Sequence, residues 1–197
     1  MTQNEFDPPS VNAQKSFILA KALFPNEQWI PTEPGIWAAE SRLVVKYREP
    51  DKWEREMAQA RILTSRGSAA YFLPESEKRG EPSKRYPDMV LDGTILEIKT
   101  VFGTIKTLGL EFKRGYKQGK SLLAANLPAN YPPQGHSVFI HLLSDLKMEA
   151  VRAKIAGELK SRMDKGIFMC LFARTGEFYS WTYDELRAII GKNFSIK

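Results

Sequence analysis

The chain holds a single cysteine, Cys170, in 197 residues. That scarcity excludes a disulfide framework and a cysteine-based zinc site, and its surroundings, the apolar run IFMCLF, predict a buried strand thiol. Long apolar runs are missing as well. No stretch of about 18 apolar residues occurs, so no segment is expected to span a membrane. The opening residues, MTQNEFDPPSVNAQK, lack the basic-then-apolar pattern of a signal peptide. Internal repeats and low-complexity tracts are absent too.

What is present suits a globular α/β chain. The hydrophobic fraction is 43%, enough for a packed core, and the length fits one domain with an extension or at most two small ones. The formal net charge of +6 is compatible with a polyanionic partner without establishing one.

Residues 1–50 read as an N-terminal extension of unknown role. SVNAQKSFILAKAL predicts a helix, and the Pro- and Trp-containing FPNEQWIPTEPGIWAAESR after it is expected to be irregular. Residues 51–197 read as the main domain. Asp51 has the character of an N-cap, with Glu54 at capping-box spacing, so a helix is expected from there to Arg66, stopped by Gly67. Trp53, Met57, Ala60 and Leu63 recur at helical spacing and predict its buried stripe. SAAYFLPE predicts a short strand. GLEFKRGYKQGKSLLAANL predicts a helix weakened by Gly115 and Gly119. SVFIHLL, GIFMCLF and EFYSWTY predict strands, KMEAVRAKIAGELKSRM a helix, and YDELRAII a short final one. The order from residue 51 is α-β-β-β-α-β-α-β-β-α.

The stretch KRYPDMVLDGTILEIKT carries the chemistry. Asp92-Gly93 is a strong two-residue hairpin signal. Counting outward from it sets Asp88 opposite Glu97, with Lys99 on the same face. Opposed like charges repel unless neutralised. A hard divalent cation does this well, since Mg²⁺ is commonly held by one or two carboxylates with water and phosphate; an ion pair from Lys99 to one acid is the alternative. On the preceding helix Glu56 borders the buried stripe, and either turns outward or completes a three-carboxylate pocket with Asp88 and Glu97.

The pattern E-x3-A-x2-L-x3-G (Glu56, Ala60, Leu63, Gly67), then Pro87-Asp88, eight residues, and Glu97-Ile98-Lys99 resembles the PD-(D/E)XK nuclease superfamily. YFLPESEKRGEPSKRYPDMVLDGTILEIKT is most similar to the branch at the C-termini of contact-dependent growth inhibition toxins, many of them tRNA nucleases. The similarity covers about residues 51–144. It implies a restriction-endonuclease-like αβββαβ core with a mixed sheet flanked by helices. It also implies Mg²⁺, with Mn²⁺ or Zn²⁺ as substitutes, held by Asp88, Glu97, Glu56 and the Ile98 carbonyl, and Lys99 beside the attacking water. Relatives often carry a glutamine late in the following helix, where Gln118 stands here, but AANLPANYPPQGH intervenes before the next strand. The implied partner is nucleic acid, tRNA first and DNA as the alternative, contacted by Lys84 and Arg85 before Asp88 and by Lys113, Arg114, Lys117 and Lys120 after it. Phe112 and Tyr116 are interleaved with the later group. A toxin of this kind acts in the bacterial cytoplasm after delivery and has a cognate immunity protein. A binding module without catalysis is the remaining reading. His136 and His141 read as ordinary strand histidines.

Overall fold

The computed structural model describes residues 11–75, 87–126, 136–159 and 168–192. They fall into two compact units, one of residues 11–75 with Asp88–Thr94, the other of Pro87 with the residues from Ile95 onward.

The first unit begins with helix α1 (Val11–Leu23), whose Leu19, Ala20 and Leu23 are buried. The stretch expected to be irregular instead forms strands β1 (Trp29–Glu33) and β2 (Ile36–Ala39) and a 3-10 helix, Glu40–Leu43. Pro31 and Pro34 had argued against strands. Pro31 lies on β1, the first strand of the order, where proline is best tolerated, and a register shift falls between Pro31 and Glu33. Gly35, at φ +74°, closes the β1–β2 turn. Helices α2 (Val44–Arg48) and α3 (Pro50–Thr64) then lead to β3 (Ala70–Phe72), which pairs parallel with β2. Strand β4 (Met89–Leu91) pairs antiparallel with β3.

Helix α3 buries Trp53, Met57, Ala60 and Leu63, the predicted stripe, and buries Glu56 and Gln59 as well. Its start differs from expectation. Glu49 ends α2 and caps α3 without a side-chain hydrogen bond, and Pro50 opens the helix with its fixed φ. Asp51 therefore lies in the first turn, and Glu54 approaches Arg61 at 3.7 Å. Gly67, at φ +83°, follows the helix end.

The predicted turn is present. Asp92 and Gly93 both have positive φ, +49° and +78°, the signature of a type I′ turn. Asp92 Oδ1 accepts a 2.9 Å bond from the Ala69 amide. The hydroxyl of Ser16, fully buried on α1, accepts from the Gly93 amide at 3.0 Å and donates to the Ala69 carbonyl at 3.1 Å.

Beyond the turn come β5 (Thr94–Val101), α4 (Ile105–Asn126), β6 (His136–Leu142), α5 (Met148–Leu159), β7 (Phe168–Arg174), β8 (Glu177–Thr182) and α6 (Tyr183–Lys192). Strands β5, β6 and β7 run parallel, and β8 returns antiparallel to β7. Phe112 and Tyr116 of α4, Val138 and Ile140 of β6, Val151 and Ile155 of α5, and Phe172 of β7 share one core. Cys170 is buried there, which pushes its thiol pKa up. The element order from α3 onward is the predicted one, so the αβββαβ sequence of elements is present in an α/β chain with mixed strand pairing. No helix among the described residues is long and apolar enough to cross a membrane.

Candidate functional site

The sequence-predicted acids lie in two settings. In the first unit, Glu56 on α3 and Asp88 just before β4 converge on Arg42, a residue of the 3-10 helix that is only 3% exposed. Arg42 Nη2 donates to Glu56 Oε2 at 2.7 Å and stands 3.8 Å from Asp88 Oδ1. Its Nη1 stands 3.8 Å from Glu75 Oε1. Only the first distance is a hydrogen bond; the others are ion-pair distances. Lys52 donates to Glu75, and Arg48 lies 3.6 Å from that carboxylate.

Burial opposes Arg42's charge, yet Glu56, Asp88 and Glu75 outweigh it and its pKa lies above the ordinary value. Glu56 is raised, chiefly by burial, with Arg42 opposing and Asp88 adding to the rise. Among the described residues the buried Arg42 Nε–H has no hydrogen-bond partner, so they do not satisfy the guanidinium on every edge.

In the second unit Glu97 is 1% exposed and accepts from Lys99 on the same face of β5. The helix glycines that weakened the α4 prediction are explained here. A Cβ at Gly115 would lie 3.1 Å from Val138 Cγ1, 3.3 Å from Glu97 Cγ and 3.4 Å from Lys99 Cγ; at Gly119 it would lie 3.1 Å from His136 Cδ2. The absent side chains let α4 lie close over the Glu97–Lys99 pair at Gly115 and over His136 at Gly119. His136 is buried beside Tyr116 at 4.8 Å between ring centroids, and burial lowers the pKa of His141.

Helix α4 exposes Lys113, Arg114 and Lys117 and buries Phe112 and Tyr116. The two aromatics are therefore core, not a stacking surface interleaved with the basic groups. Arg114 pairs with Glu111. Gln118 is partly buried on the same helix. Lys84 and Arg85 lie outside the described residues, as does the side chain of Lys120.

A hard divalent cation suits these donors in chemistry, since the side-chain candidates are carboxylates. Their arrangement is set by the protein's own cations: Arg42 stands among Glu56, Asp88 and Glu75, and Lys99 bonds Glu97. Among the described residues, no group of three or more His, Cys, Asp and Glu side chains is placed to hold a metal ion.

Sequence reasoning missed Arg42, Glu75 and Lys52. Arg42 carried one signal, an arginine directly before the apolar LVV in AAESRLVV, and it was obscured by reading its segment as irregular. No family model, curated protein or solved structure matches the chain.

Proposed function

We propose that the chain is a metal-dependent nuclease acting on RNA, with tRNA as the favoured substrate, in a toxin or effector setting. The observation that carries this reading is the Glu97–Lys99 pair, with Glu97 buried and Lys99 partly buried on one face of β5 beneath the close-packed Gly115 of α4. Glu56 on α3 and Asp88 ahead of β4 support it, because they occupy the elements that the motif assigns them.

A bound divalent ion supplies Lewis acidity, activating water and offsetting charge on a phosphodiester. The proposal gives ligand roles to Glu56 and Asp88 in the first unit, and to Glu97 and the Ile98 carbonyl in the second. Lys99 Nζ, already a donor to Glu97, orients the attacking water and stabilises negative charge as it develops on phosphate. Lys113, Arg114 and Lys117 hold the polyanion by its phosphates, which sets register without reading sequence.

A second reading, a nucleic-acid-binding module without catalysis, draws on one observation: Arg42 and Lys99 already pair with the acids. The experiment that separates the two is incubation of wild type and Asp88→Ala with total tRNA and with plasmid DNA, each with Mg²⁺, Mn²⁺ or EDTA. The expected result is cleavage of tRNA that needs metal and Asp88. Cleavage of plasmid alone moves the protein to a DNA endonuclease, and no cleavage of either favours the binding module.

A further inference from the structure

Arg42 is the group no motif assigned, and its surroundings are unusual for an arginine. It is 3% exposed, ion-paired to Glu56 at 2.7 Å and to Asp88 and Glu75 at 3.8 Å, with its guanidinium carbon 5.9 Å from the centre of the Phe72 ring. A buried cation of this kind is normally fixed by hydrogen bonds on all its edges. Here Nε–H has no partner among the described residues, and the Asp88 and Glu75 contacts are too long to be hydrogen bonds. Arg42 thus supplies charge to the cluster more completely than it satisfies its own geometry.

We infer that Arg42 is an internal counter-cation that positions Glu56 and Asp88 and competes with a divalent ion for their carboxylates. The inference rests on the nuclease reading, which makes those two acids metal ligands. Glu56, Glu75 and Asp88 together carry three negative charges, and Arg42 lies within ion-pair distance of all three. In its absence the acids repel one another, as Asp88 already does Glu56. With it, the cluster is held together before any ion arrives, and an entering divalent ion meets a positive charge beside its ligands. The consequence is a site that is ordered yet binds metal weakly.

The test is Mn²⁺ binding without nucleic acid, followed by electron paramagnetic resonance and by the melting temperature with and without Mn²⁺. Wild type, Arg42→Met, Arg42→Lys and Asp88→Ala are compared. Arg42→Met removes the charge and keeps much of the apolar stem, and should bind Mn²⁺ at least about tenfold more tightly than wild type, because a neighbouring unit charge repels a divalent ion. Its melting temperature should be lower than wild type without metal and rise more on adding Mn²⁺. Arg42→Lys keeps the charge without the planar fork, and should bind Mn²⁺ more tightly than wild type but less so than Arg42→Met.

Equal or weaker Mn²⁺ binding in Arg42→Met overturns the inference. If that variant does not fold even with Mn²⁺, wild-type affinity in Arg42→Lys overturns it instead. Asp88→Ala keeps the two ideas apart. Loss of Mn²⁺ binding there with no gain at Arg42 removes only the competition, whereas wild-type binding in Asp88→Ala removes Asp88 as a ligand and the nuclease reading with it.

Discussion

Arg42 and Glu56 differ from a surface ion pair because water is excluded from both. Exposed pairs contribute about 0–1 kcal/mol, whereas removing one partner of a buried pair costs about 3–5 kcal/mol, since the other is left charged and alone. Two acids that share this arginine respond oppositely to pH. Burial leads the rise in Glu56's pKa above 4.5. Burial acts on Glu75 too, but Lys52, Arg42 and Arg48 outweigh it and its pKa falls below 4.5. The raised group binds protons more readily when folded. Its stabilising contribution is complete below 4.5 and is lost as pH rises through the folded pKa. The lowered group contributes above 4.5, and that contribution is lost as pH falls through its folded pKa. Urea unfolding from about pH 3 to about pH 8 should therefore show opposite trends. Relative to wild type, Glu56→Gln should gain stability as pH rises and Glu75→Gln should lose it. Trends of the same sign would contradict this account of the two environments.

The elements were the most legible part of the sequence. The α3 stripe, the Asp92-Gly93 turn and the strand-helix order after it all follow from periodicity and turn chemistry, which are local. The pairing of β1 and β2 was illegible because prolines locally oppose strands, and only an outer position in the order makes Pro31 tolerable. Arg42 was illegible for a related reason: its role depends on Glu56, Glu75 and Asp88, all distant in sequence. Helix α4 lies between these cases, and its glycines can be tested separately. A Cβ at Gly109 would meet the flexible end of Lys154, whereas at Gly115 it meets Val138, Glu97 and Lys99 at their Cγ atoms. Alanine improves helix propensity by about 1 kcal/mol at either site. Gly109→Ala should be neutral or stabilising, because Lys154 can swing aside. Gly115→Ala should be destabilising, at about 1–3 kcal/mol of overpacking before that gain, and should lower the proposed nuclease activity through Glu97 and Lys99. Thermal melts and cleavage rates of the two variants check this, and equal behaviour would remove the packing explanation for Gly115.

Across the whole molecule the net charge of +6 acquires direction only where basic groups share an exposed surface, as Lys113, Arg114 and Lys117 do on α4. If Lys113 contacts a phosphate, Lys113→Gln in the Asp88→Ala background should reduce the slope of log affinity for tRNA against log salt by about 0.9. Filter binding across a salt series measures this, and an unchanged slope would take Lys113 out of the interface.

The parallel pairing of β2 with β3 reaches further than the architecture of one sheet. Strand β2, the two helices after it and β3 form a single crossover, and Glu56 rides on its second helix. Residue 51, where the resemblance begins, falls inside that crossover, in the first turn of α3. A genetic exchange that moved only the motif-bearing portion into another protein would sever the crossover. It would leave behind Arg42, and with α1 the Ser16 hydroxyl that holds the Gly93 turn. The inherited unit that keeps Glu56 with its buried arginine and the Gly93 turn with its hydroxyl partner therefore reaches back at least to α1.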